Sequence, residues 1–280
     1  MKISVVVPFF GNPKNQVMHE MLARCIDSIE KQAFEDYELI ISREGVDLSS
    51  SRNWGIEHAH GDYLMFVDAD DYISEDLFAA LADAIKAHPE ADIIEFPTLV
   101  HEGRADEHLL TFEEKEYTNL INNYWLGCKA YTHSYACNKI YKRHLFDEVR
   151  FPVGRKFEDV YALPLILDAA QKVRTTSKGL YHYVWNKSGI CAKAGIQDLT
   201  QLLEAHIGVI NRWRLHEKKG FSEYFMHVLN IQIDVYKAGG SIILPSYKIE
   251  SFRMDIKKGL KFIAYKMLGI EKMCKLWKKL

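Results

Sequence analysis

The stretch from Phe66 to Tyr72, FVDADDY, sets three aspartates within four residues, directly after the apolar run YLMFV. The apolar run predicts a buried strand, and Asp68, Asp70 and Asp71 would follow the carboxyl end of that strand. In parallel α/β sheets, ligands bind beyond the carboxyl ends of the strands. Because clustered carboxylates repel one another, we expect a positive charge to bind here, and their hard oxygen ligands suit Mg2+ or Mn2+.

Further predicted strands and helices alternate on both sides of this stretch. Strands are predicted in ISVVVPFF, YELIIS, DYLMFVD and ADIIEFPTLV, and helices over about 17–32, in the serine-capped segment SSSRNWGIEHAHG and over about 74–88. This alternation predicts an α/β fold with a mostly parallel central sheet flanked by helices. Beyond about residue 100 the alternation ends, and helices over about 198–219 and 222–238 predict a helical C-terminal extension.

The composition narrows the classes of function. The chain has 280 residues, a net charge of −2 and five cysteines without a C-x-x-C spacing. This charge gives no general case for nucleic-acid binding, and the scattered cysteines are typical of reduced thiols, so we expect a cytoplasmic protein. The start MKISVVVPFF is too short for a secretory signal, and no apolar run approaches the ~20 residues of a membrane span.

Positive charge is concentrated near the C-terminal end of the sequence. Residues 248–280 contain ten basic and three acidic residues, a net charge of +7, and large apolar residues lie between the charges. A basic amphipathic helix of this kind is typical of proteins that bind an anionic membrane surface. The alternative is a terminal helix whose apolar residues pack on the body of the protein. The sequence leaves both open.

Other kinds of acidic site can be compared with the cluster. An EF-hand loop beginning at Asp68 would need glycine and glutamate where Ile73 and Ala79 stand, so this kind of site is excluded. A haloacid-dehalogenase-type phosphatase also has D-x-D after an apolar strand, but usually with threonine or valine at the position of Tyr72. An acidic turn without a ligand is the remaining alternative.

Five segments, in the family's order, resemble family 2 glycosyltransferases of the GT-A fold, which build bacterial surface polysaccharides. The segments are ISVVVPFFGN, FEDYELIIS, DLSSSRNWGIEHAHGDYLMFVDADD, NKIYKRHLFDEVRFPVGRKFEDV and GLYHYVWNKSGI. The resemblance runs from Ile3 to about Ala192 and implies a Rossmann-like GT-A domain over 1–192. Its parts would be a nucleotide-sugar-binding half (1–100) and an acceptor and catalytic half (101–192), followed by a helical extension (193–245) and a basic amphipathic tail (246–280).

The resemblance also implies roles for individual charged residues. Asp70 would be a ligand of Mn2+ or Mg2+, and Asp68 would contact the metal or the ribose of the nucleotide. Arg52, in the segment SRN, would lie near the phosphates or the acidic cluster. Asp159 would be the catalytic base, with Glu158 as its neighbour. Both are predicted at a helix N-terminus, where the helix dipole favours the ionised form.

The remaining candidates for substrate or metal contacts are Pro8, Phe9, Phe10, Glu44, His182 and Lys187. The first three lie in the loop after the first strand, where the two phenylalanines could stack on the nucleotide base. Glu44 takes the position of an aspartate that usually contacts uracil, although the segment after the second strand is shorter than the family pattern. His182 could bind a phosphate or the metal, and Lys187 a phosphate.

The sequence therefore predicts an inverting, metal-dependent glycosyltransferase of surface polysaccharide synthesis. It would move a sugar from a nucleoside diphosphate, with UDP expected, to a saccharide or a lipid-linked saccharide. Inversion is implied by a single base opposite the leaving nucleotide. The alternatives are a transferase-like domain that binds a nucleotide or glycan without turnover, and the phosphatase. If the tail binds membrane, the protein would be peripheral at the inner face of the plasma membrane.

Overall fold

The computed structural model describes residues 1–9, 16–189, 191–250 and 256–278, without the side chains of 256–258. The described residues form eleven strands: β1 Ile3–Pro8, β2 Tyr37–Ser42, β3 Tyr63–Phe66, β4 Tyr72–Ile73, β5 Ile93–Glu95, β6 Thr98–Glu102, β7 His108–Leu110, β8 Lys115–Tyr117, β9 Lys139–Lys142, β10 Val173–Thr175 and β11 Tyr181–Val184. Seven α-helices accompany them: α1 Gln16–Glu30, α2 Leu48–Glu57, α3 Leu77–Ala87, α4 Glu158–Ala169, α5 Ile196–Trp213, α6 Phe221–Lys237 and α7 Ile256–Trp277. A short π-helix, Ile121–Gly127, precedes β9.

The central sheet has seven strands in the order β2-β1-β3-β9-β5-β10-β8. Strands β1, β2, β3, β5 and β10 run in one direction, and β8 and β9 run antiparallel to their neighbours. Within the described residues the sheet is therefore mostly parallel, as the alternation of strands and helices predicts. The carboxyl ends of β1, β2 and β3 lie side by side at one edge, where a ligand site is expected.

A second sheet, with the order β4-β11-β6-β7, was not predicted. The segment ADIIEFPTLV, read from the sequence as one strand, is divided between the two sheets as β5 and β6. The division falls at Pro97, which has no N–H to donate to a sheet, while its carbonyl accepts from the N–H of Tyr181. The polar segment after residue 100 joins β6 to β7, which pair in an antiparallel arrangement.

Helix α2 begins differently from its prediction. Its N-cap is Asp47 and not a serine: Asp47 Oδ1 accepts from the N–H of Ser50 at 2.8 Å, and Ser50 Oγ accepts from the N–H of Asp47 at 3.1 Å. The helix packs closely on β1, because a Cβ at Gly55 would lie 2.2 Å from Val6 Cγ1. This close packing fixes the position of Arg52 relative to the sheet.

The C-terminal helices pack against the sheet domain in one continuous apolar core. Side chains of β3, the π-helix, α4, α5, α6 and α7 share this core, which confirms the predicted helical extension. Helix α5 ends at Trp213, earlier than the predicted end at about residue 219, because Arg214 adopts a left-handed conformation (φ 49°). The boundaries at 192/193 and 245/246 stay predictions.

Helix α7 lies on α6 and is interrupted at Gly269, whose backbone is not helical. Its buried side chains are Tyr265, Ile270, Met273 and Cys274. One face of the tail therefore packs on the body of the protein. Among the described residues, no helix combines the length and the apolar composition that crossing a bilayer requires.

A group of buried charges supports the centre of the fold. Glu95 on β5 and Lys139 on β9 are fully buried, with Glu95 Oε1 2.9 Å from Lys139 Nζ and 2.8 Å from His133 Nδ1. Burial alone would lower the pKa of His133, but the Glu95 carboxylate outweighs burial and raises this pKa to about 9. Lys139 Nζ also donates to the carbonyls of His133 and Tyr135. The group therefore holds the 133–137 segment in place.

We predict that Glu95→Gln destabilises the protein by about 3–5 kcal/mol, because the Lys139 ammonium stays buried without its anion. The free energy of unfolding from chemical denaturation measures the change. The matched control is Glu204→Gln, which removes an exposed ion pair with Arg155 and should cost no more than about 1 kcal/mol. Equal losses in the two variants would show that the buried group does not support the fold.

Candidate active site

The three aspartates lie where the sequence places them, beyond the carboxyl end of β3. The chain turns directly after the strand, with the N–H of Asp71 donating to the carbonyl of Asp68 at 2.9 Å, and then enters β4. The strand is buried along its whole length, so the turn is held on a rigid element.

Asp71 is a structural member of the cluster. Its carboxylate is buried and accepts two hydrogen bonds from β11, from the Tyr181 hydroxyl at 2.7 Å and from the N–H of Val184 at 2.8 Å. The same hydroxyl accepts from the N–H of Asp68 at 3.0 Å. Burial, together with the charges of Asp70 and Asp68, raises the pKa of Asp71 well above its usual value. Asp71 therefore fixes the turn against the second sheet.

Arg52 joins the acidic turn to the start of α4. Its side chain is 3% exposed, and its Nη2 donates to Asp68 Oδ1 at 2.7 Å while its Nη1 donates to Glu158 Oε1. The guanidinium lies 5.2 Å from the ring centre of Phe151 and 5.9 Å from that of Phe66. Burial would lower the pKa of Arg52, but the charges of Asp68 and Glu158 raise it. This buried cation thus holds two carboxylates that are 90 residues apart in the sequence.

Two neighbours of Arg52 hold the segment that leads into α4. Asn53 exchanges two hydrogen bonds of 2.8 Å with the backbone of Phe151. Asp47 Oδ2 accepts from the N–H of Gly154 at 2.6 Å. Phe157, directly before Glu158, has a left-handed backbone (φ 57°), an unusual conformation for a bulky residue. The segments SRN and FED are therefore assembled as one unit, in which Glu158 faces Arg52.

Asp159 lies beside this ion pair and lines a cavity of about 280 Å3. Its Oδ1 accepts from the N–H of Val160 at 2.8 Å, within the first turn of α4. Burial, together with the charge of Glu158, raises the pKa of Asp159 to about 7. A carboxylate whose pKa lies near neutrality is suited to general base catalysis. The same cavity is lined by the aromatic side chains of His101, Tyr135, Phe157 and Tyr183.

A larger cavity of about 460 Å3 lies on the other side of Asp68. It is lined by Pro8 and Phe9 from the end of β1, by Asp68 and Asp70, and by residues that follow β11, among them Trp185, Asn186 and Lys193. The two cavities share Leu48, Asp68, Tyr183 and Cys191 in their walls. They are therefore neighbouring parts of one cleft, with Asp68 in the wall of both and Arg52 in the wall of the smaller one.

Asp68 and Asp70 fit a divalent metal. Both line the larger cavity, and burial together with the charge of Asp68 raises the pKa of Asp70, which indicates uncompensated negative charge. Asp70 Oδ2 accepts from Asn186 Nδ2 at 2.9 Å, which orients the carboxylate. Asp71 and Cys137 also lie within 4.8 Å of Asp68, but Asp71 is occupied by β11, and burial raises the pKa of the Cys137 thiol. The hard oxygen donors suit Mg2+ or Mn2+.

The structure does not bring every predicted residue to the cleft. His182 Nδ1 lies 3.1 Å from Glu102 Oε2, and its ring stacks on Tyr72 with the ring centres 4.1 Å apart, whereas neither cavity is lined by His182. The side chains of Glu44 and Lys187 are exposed, and neither residue lines either cavity. Phe10 lies outside the described residues. Base recognition by Glu44 and phosphate binding by Lys187 stay predictions.

Several residues of the cleft were missed. Lys193 brings a positive charge to the larger cavity, six residues after the predicted Lys187. Trp185 and Asn186 belong to the segment GLYHYVWNKSGI, but no sequence spacing identifies them as site residues. The pairing of β11 with β6 and β4 brings them to the aspartates. The hydrogen bond between Asn186 and Asp70 spans 116 residues, and a local pattern cannot show it.

Comparisons with known proteins agree with this geometry. Residues 40–150, which include Arg52, Asp68 and Asp70, match the model of the family described as Glycosyl transferase family 2. The chain is 28% identical over 224 residues to the glycosyltransferase GlyA of Streptococcus pneumoniae, covering 68% of this chain and 31% of GlyA. It is 28% identical over 163 residues to the minor teichoic acid biosynthesis protein GgaB of Bacillus subtilis, covering 58% of this chain and 18% of GgaB.

Solved structures show the same fold. The crystal structure of S. aureus TarS in complex with UDP-GlcNAc superposes with a TM-score of 0.61 and 18% identity, over 85% of this chain and 81% of that chain. A TarS complex with UDP gives a TM-score of 0.55 and 20% identity, over 85% and 81% of the two chains. The chain spans less than a third of the length of GlyA and less than a fifth of GgaB. Residues 40–150 of the chain therefore match the family 2 glycosyltransferases, the chain has the GT-A fold, and one curated relative is named for minor teichoic acid biosynthesis.

Proposed function

We propose that the protein transfers a sugar, with inversion and with the help of a divalent metal, from a UDP-sugar to a saccharide or lipid-linked saccharide. The proposal rests on one observation. Two neighbouring cavities meet at Asp68, with a metal-binding pair of aspartates on one side and a carboxylate of raised pKa, Asp159, on the other. A glycosyl transfer needs these two environments, one for the departing diphosphate and one for the attacking hydroxyl.

The larger cavity suits the donor. Phe9 and Pro8 offer apolar surface at the end of β1, and Asp68 and Asp70 line the same cavity. Lys193 adds a cation near the position that a diphosphate would take. Structural neighbours of this fold bind UDP-GlcNAc and UDP, which supports a UDP-sugar as the donor. The sugar itself is left open.

Asp68 and Asp70 would hold the metal, Mn2+ or Mg2+. When bound, the metal would supply a Lewis acid beside the diphosphate and compensate the charge of the leaving nucleotide. Asn186 orients Asp70, and Arg52 orients Asp68, so the two carboxylates are in place before a ligand arrives. Preorganisation of this kind reduces the cost of assembling the site during the reaction.

The smaller cavity suits the acceptor. The Asp159 carboxylate would take the proton of an acceptor hydroxyl as the oxygen forms its bond to the anomeric carbon. The bond between that carbon and the nucleoside diphosphate breaks, and its electron pair leaves with the diphosphate, so the anomeric centre inverts. The carboxylate of Glu158 is paired with Arg52, whereas the carboxylate of Asp159 is not part of this ion pair and lines the cavity.

We place the reaction on the cytoplasmic side of the membrane. All five cysteines are free thiols in the structure, as expected in a reducing compartment. The phosphatase alternative is not supported, because the matched family and the GT-A fold are those of glycosyltransferases. The other alternative is a domain that binds its ligands without turnover. The transfer assay of the unchanged protein, described below with the Asp159 variant, tests it.

We predict that Asp70→Ala abolishes the metal-dependent binding of UDP, because the metal would lose one of its two carboxylate ligands. The fold should stay intact, since removal of one of several clustered acids reduces their mutual repulsion. Thermal shifts with UDP, with and without Mn2+, measure the binding, because a specific ligand stabilises the folded state by mass action. The control is Asp83→Ala, which removes an exposed aspartate on α3. If UDP and Mn2+ stabilise Asp70→Ala as well as the control, the metal assignment is wrong.

We predict that Asp159→Asn keeps UDP binding and lowers kcat by about 10²–10⁴-fold, because a base acts on the acceptor and not on the donor. In the unchanged protein, kcat/KM should decline as the pH falls below about 7, where Asp159 becomes protonated. Transfer assays across pH, with UDP binding measured in parallel, test both expectations. Equal loss of UDP binding would make Asp159 structural, and no turnover in the unchanged protein would favour the binding-only alternative.

A further inference from the structure

Helix α7 has an apolar face that points away from the protein. Leu260, Ile263 and Met267 are 62%, 54% and 78% exposed, whereas Tyr265 on the opposite side is 6% exposed and packs into the core. The spacing of three and four residues places the three exposed side chains on one face of the helix, before the interruption at Gly269. We call these three residues the α7 stripe.

The stripe is unusual for the surface of this protein. The described residues include twelve exposed large apolar side chains, and five of them lie on α7. Single exposed apolar residues are ordinary, but a contiguous apolar patch rimmed by polar residues marks an interaction surface. The buried face of α7 already accounts for its packing on α6, so the stripe has no function in folding that the structure shows.

The helix that carries the stripe is strongly positive. Residues 256–278 contain seven lysines and one glutamate, a net charge of +6, whereas the remaining residues carry a net charge of −8. Lys266, Lys272, Lys275 and Lys278 are exposed. Lys266 Nζ donates to the carbonyl of Ile249 at 2.9 Å, so its stem lies along the helix flank. An apolar face bordered by lysines is complementary to an anionic surface with an apolar interior.

We propose that α7 is a membrane-docking helix, whose stripe inserts into the interface of a bilayer that contains anionic lipids. An amphipathic helix of this kind lies in the plane of the interface, with its apolar side chains at the headgroup boundary. Its packed face holds the body of the protein against the surface, and the lysines attract the lipid headgroups electrostatically. The proposal rests on the helix alone and does not depend on the donor, the metal or the base.

Co-sedimentation with vesicles tests the proposal on the full chain. The vesicles contain phosphatidylglycerol and phosphatidylcholine, and vesicles of phosphatidylcholine alone serve as the comparison. The variant Ile263→Ser with Met267→Ser should lower the partition coefficient about tenfold or more, because two large apolar side chains no longer enter the interface. The matched control is Leu109→Ser with Val153→Ser, which removes two side chains that are 55% and 57% exposed outside α7.

The expected result is sedimentation with the anionic vesicles that weakens as the salt concentration rises, since salt screens the lysines. The control variant should sediment as the unchanged protein does. Failure of the unchanged chain to sediment at low salt overturns the proposal, and so does equal sedimentation of the α7 variant and the control. Light scattering is measured on the same proteins. A dimer that the α7 variant alone converts to a monomer would assign the stripe to a second copy of the chain instead.

Discussion

The ion pair network of Arg52 with Asp68 and Glu158 is the interaction on which the site depends. A buried guanidinium is stable only when its charge is paired, and removal of one partner of a buried pair typically costs about 3–5 kcal/mol. Arg52 is 3% exposed, so it needs both carboxylates in place. The three residues come from α2, from the turn after β3 and from the start of α4. Folding of the sheet domain and assembly of the cleft are therefore the same event.

The network also distributes the charge of the cleft. Arg52 compensates the carboxylates of Asp68, which lines both cavities, and of Glu158, which lines the smaller one. Asp70 on one side and Asp159 on the other keep raised pKa values, because burial and a neighbouring carboxylate disfavour their charged forms. In the proposed mechanism, Asp70 would bind the metal in one cavity, and Asp159 would accept the proton of an acceptor hydroxyl in the other. The separation of these two roles follows from where Arg52 is placed.

The sequence predicts those features that local chemistry determines. Strands β1 to β3, the acidic turn after β3, and the acidic first turn of α4 all follow from apolar periodicity and capping residues within short segments. The second sheet could not be predicted, because β4 and β6 are short and gain their pairing from β11, about 80 residues or more along the chain. His182 is oriented by Glu102, and a tertiary contact of this kind leaves no periodic signal. The exposed stripe of α7 could not be predicted, because the sequence does not show which face of the helix packs on the body of the protein.

A double-mutant cycle on Arg52 and Glu158 tests the central claim most directly. The free energy of unfolding is measured for the unchanged protein, for Arg52→Met, for Glu158→Gln and for the double variant. The account predicts that each single change is strongly destabilising and that the double variant loses less than the sum, with a coupling energy of about 1–3 kcal/mol. Losses that add within about 0.5 kcal/mol would contradict it, because Arg52 and Glu158 would then stabilise the protein independently, and the pair would not couple α2 to the start of α4.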